Sequence, residues 1–325
     1  MVKLYRQLRD TLAFTLATMV VASCSSEEWP VLEPVDANDF AANHQEWREN
    51  RREGLVRPFS GVVLWMGLWN LAQGATPFGS DPDLPITLPE SDSPPLAGIL
   101  HRSGQEITIE PAPNTEISLR EGETIEGETI LNNDRSGSTT NLSLGTLGMR
   151  IHGEPGTDRL WLRVWDEDSP KRETFQLPES FPVDTNWRIA ARFEPYGESR
   201  ALPVADVKEG MLEYQTPGEL VFQVNGETHR LIAVANANST SFHVMLWDPT
   251  AIEETYQLGR YLSVPIPQEE NWTIEEEGWT IMDFNRTRNP PCVFSAFSVC
   301  ALPPRENRLA IPITAGEKRP TEAAY

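Results

Sequence analysis

The stretch GELVFQVNGETHRLIAV, residues 218–234, is the clearest indication of the fold. Two short apolar-rich runs flank the dipeptide Asn225-Gly226. Asparagine and glycine tolerate the positive φ angles of a two-residue type I′ turn, which joins neighbouring antiparallel strands. The stretch therefore predicts a β-hairpin and indicates antiparallel strand pairing.

Comparable short runs, separated by turn residues, follow one another along most of the chain. Residues 62–71 (VVLWMGLWNL) are nearly all apolar and predict a buried strand. Residues 147–152 and 159–165 flank the sequence Gly-Glu-Pro-Gly and predict a second hairpin. The 27 prolines and 21 glycines favour many short strands over long helices. We predict a mostly β fold with antiparallel, sandwich- or barrel-like sheets in two lobes, residues 36–140 and 141–320.

One segment, residues 36–52, has the features of a helix. An aspartate, Asp36 or Asp39, can cap its first turn by accepting hydrogen bonds from free backbone N–H groups. Phe40 and Trp47 are seven residues apart, so they share one face of the helix. We expect this face to pack against the first sheet.

The N-terminus has the features of a secretion signal. Three basic residues precede an apolar run at residues 12–21, which is too short to span a bilayer. The sequence Val-Ala-Ser-Cys at residues 21–24 resembles a lipobox, in which a peptidase cuts before a cysteine that carries a diacylglycerol. We predict a lipoprotein signal peptide at residues 1–23, lipidation of Cys24 and a tether at residues 24–35. The alternative is an ordinary signal peptide followed by an unmodified cysteine.

A lipid on Cys24 would make the membrane a partner of this protein. Two or more acyl chains hold a protein stably on a membrane, whereas one chain does not. We therefore expect a lipid-anchored protein of the cell envelope. Ser25 follows the cysteine. By resemblance to Gram-negative sorting signals, it indicates the outer membrane, facing the periplasm, if the host is Gram-negative.

The formal net charge of the chain is −21. Such an acidic surface repels nucleic acids, because they are polyanions, so no nucleic-acid partner is expected. The acidity is explained most simply by solubility. Calcium binding is the alternative, but no Asp-x-Asp-x-Asp-Gly loop of the calcium-binding type occurs. No motif indicates a cofactor.

Two of the three cysteines, Cys292 and Cys300, lie close together in the sequence. Outside the cytosol such a pair usually forms a disulfide, which is our prediction here. Free thiols and a metal site are the alternatives. A zinc site needs about four ligands, and the five histidines are scattered without paired spacing, so no metal site is predicted.

The C-terminal third contains the most distinctive sequence motifs. They are Gly259-Arg260-Tyr261-Leu262, Asp283-Phe284-Asn285-Arg286, Asn289-Pro290-Pro291-Cys292 and Glu306-Asn307-Arg308-Leu309. With upstream pieces such as Phe78-Gly79-Ser80-Asp81-Pro82, they resemble the domain of unknown function 1684 family over about residues 40–320. That family implies no reaction.

This chain departs from the family pattern at three positions. Arg288 stands where an aromatic residue is usual, Ala301 where a proline is frequent, and Leu96 where a histidine is common. The first lobe also faintly resembles a forkhead-associated domain. Such domains bind phosphothreonine through an arginine and a serine, but Ser80 occupies the arginine position here. The resemblance therefore concerns the fold only.

Five polar residues of the C-terminal lobe form our candidate ligand-binding site. Arg260 could hold a carboxylate or phosphate through two hydrogen bonds, and Asp283 could orient it or act as a base. Asn285 and Asn307 could bind polar edges of a ligand, and Tyr256 could stack or donate. The structural alternative is that these residues satisfy the backbone of an irregular tail.

Three functions remain open from the sequence. The first is an envelope lipoprotein that acts as a structural module or binds a small polar or anionic ligand. The second is a hydrolase- or transferase-like enzyme using Arg260 and Asp283, although no motif of a catalytic nucleophile with its base occurs. The third is a protein-interaction module, which would expose an apolar patch on residues 62–110.

Overall fold

The computed structural model describes residues 29–120 and 122–321. The predicted signal peptide, Cys24 and the first five residues of the predicted tether lie outside the described residues. The chain divides into a short unit, Met1–Val31, and a large compact unit, Leu32–Tyr325. Within the described residues, no helix combines the length and apolar character needed to cross a membrane.

The described part of the chain is rich in strands and has one long helix near its start, as the sequence predicts. The helices and strands are α1 (Ala37–Leu55), β1 (Trp65–Asn70), β2 (Gly74–Gly79), β3 (Ile86–Thr87), β4 (Gly98–Ser103), β5 (Glu106–Pro111), β6 (Ser118–Leu119), β7 (Thr129–Leu131), β8 (Asn141–Leu144), β9 (Leu147–Gly153), β10 (Leu160–Asp166), α2 (Lys171–Thr174), β11 (Arg188–Ala205), β12 (Met211–Val224), β13 (Glu227–Ala233), β14 (Ser241–Leu246), β15 (Arg260–Pro265) and β16 (Gly278–Asp283).

Two five-stranded sheets form the first half of the large unit. Their strand orders are β3-β2-β4-β5-β7 and β1-β10-β9-β8-β6, and apart from the parallel pair β2–β3 the neighbouring strands are antiparallel. Their apolar faces share one core, to which Phe78, Leu100, Met149 and Leu162 contribute. Because β1 pairs with β10, this sheet continues past residue 140, and the lobe boundary predicted there falls inside it.

The second half contains a four-stranded sheet, β13-β12-β11-β16, and the two-stranded sheet β14-β15. Phe222, Phe242, Leu262 and Met282 come from both sheets and bury their side chains in a common core. The turn between β12 and β13 has φ angles of 53° at Asn225 and 81° at Gly226. These positive angles confirm the predicted hairpin. The described strands form open antiparallel sheets and do not close into a barrel.

The helix α1 begins where its capping residue predicts and extends beyond the predicted end. Asp36 accepts hydrogen bonds from the backbone N–H groups of Asn38 and Asp39, at 2.8 and 3.1 Å. The sequence predicts that the helix docks on the first sheet through an apolar face, but it does not. Its side chains instead bind backbone groups of the second half, as when His44 donates to the Asn285 carbonyl at 2.7 Å.

Arginines complete this polar docking of α1. Arg51 binds the carboxylate of Glu317 through Nε and, at 3.0 Å, through Nη2. Arg52 donates to the carbonyls of Phe175 and Arg172, at 3.0 and 3.2 Å. Long charged side chains can bury their stems while their heads bind carbonyls, so a helix with few apolar residues is still held in one place.

Two apolar-rich segments are not regular strands over their whole length. In residues 62–71 a short 3₁₀ turn, Val62–Leu64, precedes β1. The run 308–313 pairs with the rest of the protein through one isolated bridge, between Arg308 and Trp247, and is otherwise irregular. Its carbonyls therefore need partners other than a neighbouring strand.

Gly148 provides a test of packing between β9 and β10. A Cβ atom at this position would overlap the indole ring of the buried Trp165. We expect Gly148→Ala to lower the free energy of unfolding by about 3 kcal/mol, because the ring must move out of a filled core. Urea unfolding of the purified protein measures this change.

Gly54→Ala is the matched control, because a Cβ there meets nothing within 4 Å. In a helix this change should stabilise the protein by up to about 1 kcal/mol. Equal effects of the two substitutions would contradict the packing described for Gly148.

Candidate functional site

Arg260 lies in the interior of the second half with a side chain that is 1% exposed. Its ion partner is Asp248, at 2.8 Å from Nη2 to Oδ2. The guanidinium also donates to the carbonyls of Ile313 and Ala315, at 3.0 and 2.6 Å. The predicted partner, Asp283, makes its ion pair with Arg286 instead, at 3.4 Å.

Asp248 completes this buried pair from the other side. Its Oδ1 atom accepts hydrogen bonds from the N–H and hydroxyl groups of Thr250, at 3.0 and 2.7 Å, and from the N–H of Ile313, at 3.0 Å. The pair therefore holds the C-terminal segment at residues 313–317, which contains no strand, against β15. This is the structural role that the sequence left open as the alternative.

The two predicted asparagines make similar contacts with the backbone. Asn307 accepts from the N–H of Ile232 at 2.7 Å and donates to the carbonyls of Ile232 and Met245. Asn285 accepts from the N–H of Asp184 at 3.0 Å and donates to its carbonyl and to Asp283. Each amide replaces a partner that a neighbouring strand would otherwise provide.

The five predicted site residues are therefore not brought together around one cavity. Arg260 is enclosed with Asp248, Asn307 ties β13 to β14, and the Tyr256 hydroxyl lies 3.8 Å from the sulfur of Cys292. Ligand binding by this set stays a prediction. Asp283 differs from the others, because it lines an open groove.

This groove, hereafter the arginine groove, lies between α1 and the strands β11, β15 and β16, and its volume is about 690 Å³. Its walls combine aromatic, polar and charged side chains: Val35, Phe40, Asn43, Glu46, Trp47, Asn50, Arg188, Ser263, Pro265, Ile281, Asp283, Arg286 and Arg288. Three arginines face one groove in a chain whose formal net charge is −21.

Two of these arginines have no carboxylate partner. Among the described residues, the Arg188 guanidinium makes no hydrogen bond or ion pair. Arg288 donates to the Ser263 hydroxyl at 2.9 Å. Burial, with repulsion from Arg51, lowers the pKa of Arg288 to about 10, although the charge of Glu317 acts in the opposite direction. Such a destabilised cation gains from a nearby negative charge.

The acidic side chains of the groove neutralise it only in part. Both oxygens of Asp283 are engaged: Oδ1 accepts from the Asn285 N–H at 3.0 Å, and Oδ2 pairs with Arg286. Glu46 lies on the exposed side of α1. Arg188 and Arg288 thus remain as donors for an anionic ligand.

A second groove, of about 900 Å³, lies beside α2 and the C-terminal tail. Its basic residues Lys318 and Arg319 are accompanied by Glu179, Glu253 and Glu254, and Lys318 pairs with Glu254 at 3.8 Å. The charges of this groove therefore balance one another, and we expect it to attract an anionic ligand less strongly than the arginine groove does.

The structure describes Cys292 and Cys300 as free, buried thiols, so the predicted disulfide is not present in it. No group of three or more His, Cys, Asp or Glu side chains suited to a metal ion occurs in the parts of the chain that are described.

Sequence reasoning did not select Arg188, Arg286 or Arg288 as ligand residues. Arg286 and Arg288 lie in and directly after the quoted motif Asp283-Phe284-Asn285-Arg286, which was the available signal. Arg188 is distant in sequence but is paired with Asp283 across β11 and β16. Only this pairing brings it to the groove.

The fold and groove define a β-rich protein with an arginine-lined groove beneath the helix α1. Residues 173–318 match the model of a family described as a protein of unknown function, DUF1684. This match confirms the resemblance, over a shorter range than residues 40–320. No curated protein matches the chain significantly.

Two solved structures show partial similarity. One is the solution NMR structure of an uncharacterized protein from Haloarcula marismortui, with 26% identity and a TM-score of 0.37, covering 46% of this chain and 80% of that one. The other is Mycobacterium tuberculosis EmbR in complex with a low-affinity phosphopeptide, with 13% identity and a TM-score of 0.21. The matched region covers 42% of this chain and 34% of the EmbR chain. Both TM-scores are below 0.5, so the fold described above rests on this chain's own strands.

The buried pair of Arg260 and Asp248 leads to a stability prediction. Asp248→Asn preserves the shape of the side chain but leaves the guanidinium buried without its counter-charge. We expect the free energy of unfolding to fall by about 3–5 kcal/mol, measured by urea unfolding. The exposed Asp83→Asn, which removes one negative charge elsewhere, should change it by less than about 0.5 kcal/mol.

Replacing both partners, as in Arg260→Met with Asp248→Leu, should recover much of the loss, because no charge is then buried alone. If Asp248→Asn unfolds at the same urea concentration as Asp83→Asn, the pair does not hold the tail.

Proposed function

We propose that this protein is a lipid-anchored binding module of the cell envelope, and that its arginine groove binds a small anionic ligand. The observation that carries the proposal is the pair Arg188 and Arg288. Both guanidiniums line one groove without a carboxylate partner, although acidic residues outnumber basic ones 48 to 27 in the chain. Cations left unpaired in so acidic a protein favour an external anion.

The chemistry of the walls indicates the class of ligand. A guanidinium presents parallel N–H groups that match the two oxygens of a carboxylate or a phosphate. Phe40 and Trp47, on α1, provide apolar surface in the same groove. A ligand with one anionic group and an apolar body would use both walls, as small-molecule sites usually combine apolar surface with a few polar groups.

The two other functional hypotheses receive less support. The enzyme hypothesis required Arg260 and Asp283 to converge, but their ion partners are Asp248 and Arg286. The interaction hypothesis required an exposed apolar patch on residues 62–110. Within that fully described range, Leu96 is the one large apolar side chain that is more than a third exposed.

Anion binding can be measured by titrating the purified protein with phenyl phosphate in a calorimeter, with inorganic phosphate for comparison. We expect phenyl phosphate to bind more tightly, because its ring can pack on Phe40 and Trp47. Arg288→Gln and Arg188→Gln should each weaken binding about tenfold, since a charge-assisted hydrogen bond contributes roughly 1.5–3 kcal/mol.

Arg305→Gln is the matched control, because it removes an exposed arginine outside the groove and changes the net charge equally. Equal weakening by Arg305→Gln would show non-specific attraction, and an undiminished affinity in both groove variants would refute the proposed site.

The lipid anchor is supported by the lipobox-like sequence at residues 21–24. In a host that processes lipoproteins, the protein should fractionate with membranes, and mass spectrometry should find a diacylglycerol-modified Cys24 at the new N-terminus. Cys24→Ala should abolish the modification and leave the precursor uncleaved. Recovery of an unmodified Cys24 from the native membrane fraction would exclude the anchor.

A further inference from the structure

The two C-terminal cysteines lie in one irregular segment, hereafter the thiol loop, residues 290–301, and both are buried. Cys292 is 8% exposed and Cys300 is 3% exposed. The backbone N–H of Cys292 points at the sulfur of Cys300, at a distance of 3.0 Å. The sulfur of Cys300 therefore accepts a backbone hydrogen bond, which favours its thiolate form.

We propose that Cys300 and Cys292 form an oxidant-reactive thiol pair, in which Cys300 reacts with a hydroperoxide and Cys292 then closes a disulfide. The thiolate is the reactive form of a cysteine, so the surroundings that favour it identify the attacking residue. These surroundings differ for the two sulfurs, although the two residues share one loop.

Polar groups on several sides surround the Cys300 sulfur. Burial opposes its ionisation, but hydrogen bonds from the Cys292 thiol and from the Cys292 N–H lower the pKa of Cys300, and the Ser298 hydroxyl lies 3.7 Å from its sulfur. The positive charge of the buried Arg163 acts in the same direction, because the two groups attract each other electrostatically.

Cys292 has the opposite character. Its hydrogen bond to Cys300 and its burial raise its pKa well above the ordinary value. The Tyr256 hydroxyl lies 3.8 Å from its sulfur. Cys292 therefore remains a thiol while Cys300 reacts, which is the condition required of a resolving cysteine.

The chemistry balances with one equivalent of oxidant. The Cys300 thiolate attacks one oxygen of the hydroperoxide, so that an S–O bond forms as the O–O bond breaks; Cys300 becomes a sulfenic acid, and the leaving alkoxide or hydroxide takes a proton. Cys292 then loses its proton and attacks the sulfenic sulfur of Cys300, which releases water and forms the S–S bond. Two thiols and one hydroperoxide thus give a disulfide, an alcohol or water, and a further water. A dithiol such as dithiothreitol reverses the change.

The position of the thiol loop gives this reaction a structural consequence. Val293 and Phe294 pack against Val62 and Val63, which precede β1, while the Cys300 carbonyl accepts from the N–H of Val207, beyond β11. Closing a disulfide in the loop would alter contacts on both sides. This inference is independent of the arginine groove.

The experiment uses the full chain carrying Cys24→Ser, reduced with dithiothreitol and then freed of it. Limiting hydrogen peroxide, followed by alkylation in denaturant and mass spectrometry, should convert both thiols to a disulfide that dithiothreitol reopens in the native protein. Without oxidant, a limiting alkylating agent should label Cys300 before Cys292.

Two variants separate the roles of the sulfurs. In Cys292→Ser, Cys300 should accumulate as a sulfenic acid that dimedone traps. In Cys300→Ser, Cys292 should react with peroxide at least about tenfold more slowly. Urea unfolding checks that each variant is folded, and the alkylation order in the unsubstituted loop does not depend on either variant.

Three results would overturn the inference. The first is equal or reversed reactivity of the two cysteines. The second is reaction with peroxide only in denaturant, which would make them packing residues. The third is a disulfide that dithiothreitol cannot open in the folded protein, because that bond would be permanent and structural.

Discussion

The buried ion pair between Arg260 and Asp248 is the interaction on which the second half of the molecule depends. Two charges in a protein interior are tolerated only when further hydrogen bonds satisfy them, and here the tail provides those bonds. The guanidinium binds the carbonyls of Ile313 and Ala315, and Asp248 binds the N–H of Ile313. The ion pair and the strandless tail therefore provide hydrogen-bond partners for each other.

The same principle positions α1, whose apolar content is low. Arg51 reaches the fully buried carboxylate of Glu317, which also accepts from the N–H of Asn289 at 2.8 Å. The tail, the helix and the loop after β16 are thus joined by one carboxylate. Because the helix is held by polar contacts on one side, its Phe40 and Trp47 remain available to line a groove with Arg188 and Arg288.

The thiol loop and the arginine groove show how one irregular segment can serve two purposes. Residues 283–301 leave the edge of the four-stranded sheet, carry Arg286 and Arg288 to the groove, and then fold into the interior with both cysteines. Without a neighbouring strand, this segment depends on side chains such as Asn285 for its backbone partners. The fold therefore requires many polar side chains in this segment, and the same side chains are available for binding or reaction.

Sequence alone determined the elements whose cause is local. The Asn225-Gly226 turn, the Asp36 cap and most of the short strands follow from backbone preferences and hydrophobic pattern, which act between near neighbours. The partners of the buried polar residues were decided by the tertiary structure. Arg260 binds Asp248 rather than Asp283, and Arg188 lines the same groove as Arg288. Both arrangements arise because strand pairing brings distant positions together. Neither choice has a local signature, since an arginine accepts any carboxylate that the fold places within its reach.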